Sequence, residues 1–254
     1  MKGALLRCEG VVLRYVNYGE ADRIVSVFTA AWGIKKGFAR SARNSRKRFG
    51  PALEPFSQAV FHWRQGRGDL WTLQEADLLT PRSGLRTDLD RLALAGYGVE
   101  LVELLAAETE DYQRIYELLC SYLDYLERGG DHDVARLLLE LRLVYLLGYI
   151  PHLLHCSECL KIFDNEPICF DSQRGGSLCR DCAGTNDLEV SLGSLGSLAR
   201  SLRVSHHRFD GFKLGATTIR DGHLLLSQVL RQILPREPNS LKFLARVSAR
   251  ESES

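Results

Sequence analysis

Apolar and polar positions along this chain change period once, near residue 80. Before that point the apolar runs are short and β-prone. They are Val11-Val12-Leu13 with Tyr15-Val16, Ile24 to Thr29, Ile34 to Ala39 after a turn at Trp32-Gly33, Phe56 to Trp63, and Asp69 to Leu73. In the fourth run Ala59, Phe61 and Trp63 share one face by the two-residue repeat of a strand. Gly66-Arg67-Gly68 reads as a hairpin turn between the last two runs. Five short strands with no room for crossover helices predict a small antiparallel barrel. Arg43 to Gly50 has no period and reads as a flexible loop.

After Pro81 the repeat lengthens to that of a helix. Leu89, Leu92, Tyr97, Leu101, Leu104 and Leu105 follow it, as do Tyr112, Ile115, Tyr116, Leu119, Leu123 and Leu126. Gly129-Gly130 breaks the chain, and Asp131 or Asp133 caps the next helix. That helix, Val134 to Leu147, is apolar on nearly every side and belongs at the centre of a bundle. Gly148 and Pro151 end it. A Cys-rich insert follows, and helical spacing resumes with Leu192, Leu195, Leu198 and Leu202, then Leu224 to Leu234 and Leu241 to Val247. The prediction is an α+β multidomain chain. A β-barrel domain spans 1–80, and an α-helical domain spans 81–254, interrupted by an insert at 152–187.

The insert carries the strongest chemical signal. Cys156-Ser157-Glu158-Cys159 and Cys179-Arg180-Asp181-Cys182 are two C-x-x-C pairs separated by 19 residues. Each pair aims two thiolates at one point, and closing the intervening loop surrounds one Zn²⁺ with four soft ligands. Gly175-Gly176 supplies the turn before the second pair. Four thiolates leave no open coordination position, so the predicted zinc is structural. His152 and His155 are alternative ligands that two complete pairs make unnecessary. Cys8, Cys120 and Cys169 read as small core hydrophobes.

Charge sharpens the picture only when the chain is divided. The net charge is +1, yet residues 1–80 hold 13 Lys+Arg against 7 Asp+Glu, and residues 81–155 hold the reverse. No acid occurs between Asp22 and Glu54. That gap contains Lys35, Lys36, Arg40, Arg43, Arg46, Lys47 and Arg48, with Arg23 at its start and Arg14 just outside it. A block of one sign self-repels, stays solvated and suits a polyanion. Small residues between the cations leave backbone N–H groups open to phosphate. Phe38 or Phe49 is placed to stack on a base or to join the core. The acidic middle third would receive a basic protein partner or form a solvated helical surface.

Composition is that of an ordinary globular protein, with 45% apolar and 26% charged residues, which excludes a disordered or fibrous chain. No apolar run approaches the roughly 20 residues of a membrane span, and the first residues lack the apolar stretch of a signal peptide. The expectation is a soluble cytoplasmic protein. Phosphate-loop, dinucleotide, nucleophile-elbow and zinc-protease motifs are absent from the sequence. Three readings follow: a non-enzymatic nucleic-acid-binding mediator, an adaptor using the acidic helical surface without binding DNA, and an RNA-directed zinc enzyme, against which the closed metal site argues.

The ordered fragments resemble the RecO family, bacterial recombination and DNA repair mediators. They are Glu9 to Arg14, Tyr18-Gly19-Glu20-Ala21-Asp22-Arg23-Ile24-Val25, Phe28-Thr29, Gly33, the basic segment through Arg48 and Leu53-Glu54-Pro55-Phe56. Glu140-Leu141-Arg142-Leu143 and Leu147 to Pro151 lead into the first Cys pair, and Phe170-Asp171 with Gly175 to Cys179 into the second. Asn239 to Leu244 is similar to the family's end, and the four cysteines to its zinc-bearing branch. The resemblance implies that the barrel is an OB-fold and that the helical domain carries a zinc knuckle. It implies binding of single- and double-stranded DNA, strand annealing, partnership with RecR, contact with the C-terminal tail of SSB, RecA loading, and a nucleoid-associated cytoplasmic location.

Overall fold

The computed structural model describes residues 5–66, 70–106, 109–149, 151–164, 167–185 and 187–251. Five N-terminal strands close into a barrel in the order β1-β2-β3-β5-β4. They are β1 (Leu5–Tyr18), β2 (Asp22–Thr29), β3 (Gly33–Ala39), β4 (Gln58–Arg64) and β5 (Leu70–Thr80). Contrary to the all-antiparallel barrel expected, β3 runs parallel to β5, the pair that closes the barrel between strands remote in sequence, and the other neighbours are antiparallel. This is the five-stranded OB-type barrel expected for the N-terminal part. The turn expected at Gly66-Arg67-Gly68 falls partly outside the described residues.

β1 is long because it serves two partners. Its first half pairs with β4 and its second half with β2. A register shift between Val12 and Arg14 bends it from one to the other. The inward row of β4 is the one predicted, with Ala59, Phe61 and Trp63 fully buried. They meet Val12, Val25, Val27, Ala39, Leu73 and Ala76 in the barrel core. β2 reads as an unbroken apolar run because both its faces are covered. Val25 and Val27 face the core, and the Phe28 ring meets Tyr112 edge-on at 6.5 Å.

Helices α1 (Leu89–Leu105), α2 (Tyr112–Glu127) and α3 (His132–Leu146) follow, then a three-stranded sheet of β6 (Ile168–Asp171), β7 (Gly176–Cys179) and β8 (Leu188–Val190). Helices α4 (Leu192–Leu202), α5 (Ala216–Ile233) and α6 (Asn239–Glu251) complete the chain. Asp88, Asp111 and Asp131 cap the first three helices by accepting backbone N–H bonds. α3 is buried from Leu137 to Val144, as its all-round apolar surface requires. No helix among the described residues is long and apolar enough to cross a membrane.

The chain divides into two compact units, Met1–Gly129 with Pro238–Ser254, and Gly130–Glu237. The change of period near residue 80 therefore does not coincide with the limit of the first unit. Polar anchors explain the difference. The fully buried Arg82 side chain donates to the Phe56 carbonyl, Gln58 and Asp124. Gln58 in turn donates to the Tyr116 hydroxyl at 2.9 Å. Glu127 accepts from the N–H groups of Gly84 and Leu85. These bonds join α2 to the barrel and to the segment that leaves it. Glu100 on α1 accepts from Asn239 and Ser240, which brings the last helix into the same unit.

Candidate nucleic-acid interface and metal centre

β3 and the turns after it carry the predicted run of cations, the basic arc, with Lys35 on the core-facing row of the strand and Lys36 on the opposite row. Lys35 and Lys36 lie on the strand, and Arg40 begins the turns. The segment to Phe49 is folded down rather than free, contrary to the flexible loop expected from its lack of period. Ser41 N–H donates to Asp22, Arg43 N–H to the Ala21 carbonyl, and Ala76 N–H to the Arg48 carbonyl. Ala42 and Phe49 are buried in the barrel core. These two apolar anchors carry no helical or strand repeat, which is why the sequence pattern passes over them.

Pinned backbone leaves most of the cations exposed, while Lys35 and Arg48 are half-buried. Arg40, Arg43, Arg46 and Lys47 are exposed. Arg43 donates to the Glu20 carbonyl, and Arg48 to the Arg40 carbonyl and Ser45 Oγ, so both side chains are held without being neutralised. Among the described residues, no carboxylate forms an ion pair with Lys35, Lys36, Arg40, Arg43, Arg46, Lys47 or Arg48. Arg14 and Arg23 differ. Arg14 pairs with Glu103 at 2.9 Å, and Arg23 with Glu54 at 3.0 Å while stacking on Tyr15 at 3.9 Å. Both were expected as weaker phosphate contacts, and both are instead held by the chain's own acids.

The aromatics also sort themselves. Phe49 is core, 2% exposed. Phe38 is half-buried on β3 and meets the exposed Tyr18 edge-on at 5.9 Å. Sequence reasoning missed Tyr18, Trp32 and Trp71 as candidates. Trp32 and Trp71 are brought together at 5.6 Å by the parallel pairing of β3 with β5, a long-range event with no local signal.

The acidic third has a different fate. Beyond the three helix caps, Glu100, Glu103, Asp124 and Glu127 are engaged in unit one as described above. Glu140 is buried beside Arg136 at 2.8 Å in the other unit. Many of the acids of the middle third thus serve bonds within the fold.

In the second unit the four cysteines converge. The sulfur atoms of Cys156, Cys159, Cys179 and Cys182 all lie within 4.8 Å of one another. The Cys159 and Cys179 sulfurs are 3.7 Å apart. Four sulfurs each about 2.3 Å from a central ion in tetrahedral array are about 3.8 Å apart, so the set fits such an ion. Burial pushes the Cys156 thiol up, but N–H groups of Cys159, Cys179 and Glu158 bring it down to about 6. His152 and His155 pair with each other, Nδ1 to Nε2 at 2.5 Å, and stand outside the sulfur cluster.

Two local devices hold the cluster. Arg174 donates to Glu158 in the first knuckle, to the Cys182 carbonyl in the second and to Asp187. Gly176 starts β7 with φ +134°, and a Cβ there would lie 2.5 Å from the His152 nitrogen. Only glycine allows that approach. Cys169 packs against the cluster without joining it, and Cys8 and Cys120 lie in the first unit.

Known proteins are similar to this chain in sequence. Residues 1–82 match the family profile described as recombination protein O N terminal, and residues 86–242 match recombination protein O C terminal. A curated protein named DNA repair protein RecO from Syntrophotalea carbinolica is 49% identical over 242 residues, covering 94% of each chain. Proteins of the same name from Geobacter metallireducens and a Roseiflexus species are each 33% identical, covering 95% and 96% of this chain and 97% and 86% of their own.

Proposed function

The chain belongs to the RecO family of DNA repair proteins, and we propose that it is a non-catalytic mediator that binds single- and double-stranded DNA and anneals complementary strands. One observation carries this reading: Lys35, Lys36, Arg40, Arg43, Arg46, Lys47 and Arg48 follow one another along β3 and the turns after it without carboxylate partners among the described residues. Phosphates of two strands held there repel each other less, which lowers the barrier to pairing. Phe38 beside Tyr18 offers an aromatic edge to an unpaired base. In the same reading the protein acts in the cytoplasm at the nucleoid, works with RecR, touches the SSB tail and helps RecA load. The four thiolates hold one structural Zn²⁺, and saturated coordination keeps that ion out of chemistry. Metal analysis should return one zinc per chain.

Salt titration of binding tests the interface. Log affinity for a single strand falls with log salt at about −0.7 per neutralised phosphate. Reversing Arg40, Arg43, Arg46 and Lys47 to Glu flattens the slope by about 3. An unchanged slope removes the arc from the interface.

A further inference from the structure

The chain has three tryptophans, and their rings form one row of contacts from the fully buried Trp63 to the partly buried Trp71 and Trp32. Trp63 is fully buried and meets the Phe61 ring at a tilt, 5.7 Å between centroids. Trp71 meets Trp63 edge-on at 6.2 Å, and Trp32 meets Trp71 at 5.6 Å. Trp32 and Trp71 are only partly buried. Both pack against the barrel core yet keep part of their rings open to solvent. Lys35 Nζ lies 5.3 Å from the centre of the Trp71 ring, placing a cation on the same feature.

The turn bearing Trp32 is preset. Trp32 N–H donates to Thr29 Oγ1, and that hydroxyl donates to the Gly33 carbonyl at 2.8 Å. Gly33 has φ +63°, and its Cα lies so close to the Tyr112 ring that a Cβ would come within 2.7 Å. The backbone that carries the indole is therefore fixed in place. Trp32 immediately precedes β3 and Arg40 immediately follows it, so one strand links this feature to the cationic arc.

We propose that Trp32 and Trp71 form a stacking platform for bases of single-stranded DNA, with Lys35 on the neighbouring phosphate. This rests on the reading of the barrel as the DNA-binding surface and adds a source of strand preference. A duplex keeps its bases stacked inside and reaches only the arc. A single strand offers base faces to indole as well.

Tryptophan fluorescence of the full-length protein reports on this row alone, because no other tryptophan exists. Oligo-dT should quench it, and a duplex of equal length should not. Trp32→Ala should weaken oligo-dT binding roughly tenfold, leave duplex affinity within about twofold and keep the salt slope, since stacking releases no counterions. Trp32→Phe should restore most of the loss. Duplex binding serves as the folding control. Binding of oligo-dT without quenching, or equal losses for both DNA forms with Trp32→Ala, overturns the platform alone. No binding of either form by the unaltered protein overturns the underlying reading and the platform with it.

Discussion

The basic arc and the acidic helices are matched opposites in the sequence, with an excess of six cations in residues 1–80 and of six acids in residues 81–155. Folding treats them differently. Carboxylates of the helices cap helix ends, hold the start of α6, and neutralise Arg14 and Arg82. Cations of the arc meet carbonyls, a hydroxyl and ring faces, but no carboxylate among the described residues. Equal charge therefore does not mean equal availability. A group that completes an internal bond belongs to the fold, and a group that keeps its charge uncompensated is available to a partner.

Substitution can break this contrast or sharpen it. The largest expected effect lies where an acid serves a buried cation. Asp124→Ala leaves the guanidinium of Arg82, wholly buried, without a carboxylate partner among the described residues. Urea unfolding should register a loss of about 3 kcal/mol. A loss below about 1 kcal/mol would show that this acid is not structural.

An engaged carboxylate in the other unit should follow the same rule. Asp221 on α5 accepts from Ser191 N–H and Ser194 Oγ at the start of α4. Burial raises its pKa, but those bonds and Arg220 outweigh burial and lower it overall. A lowered folded-state value means that the stabilisation is complete above the unfolded-state value and disappears as pH falls through the folded one. Asp221→Ala should cost about 2 kcal/mol at pH 7, and the gap to the unaltered protein should narrow below about pH 4. A gap that widens on acidification would reverse the assignment.

The smallest stability effect belongs to the arc. Arg46→Glu with Lys47→Glu should move the unfolding midpoint by no more than about 0.5 kcal/mol while reducing the salt slope for DNA. Arg14→Ala, by contrast, should leave that slope as it was, because Glu103 already neutralises the cation. A change of slope at Arg14 equal to that of the double reversal would erase the distinction between the two regions.

Much of the architecture is legible along the chain. Alternation at Ala59, Phe61 and Trp63 named an inward row that is buried as expected. The two C-x-x-C pairs named a sulfur cluster, because short spacing within each pair leaves little geometric freedom. The capping role of Asp131 was legible for a similar reason, being a bond between near neighbours. Ala42 and Phe49 were not legible as anchors, nor was the pairing of Trp32 with Trp71, since each depends on residues remote in sequence.

Local pattern thus determined the element types, the metal-binding potential and the inventory of charge, because these depend on spacing within a few residues. Tertiary structure alone decided which charges remain available. Whether Arg14 meets Glu103 or Arg23 meets Glu54 is settled by strands and helices packing together, and the same packing left the cations between Lys35 and Arg48 without a carboxylate among the described residues. Coulomb attraction acts over a few ångströms, and only the folded chain determines which residues lie that close.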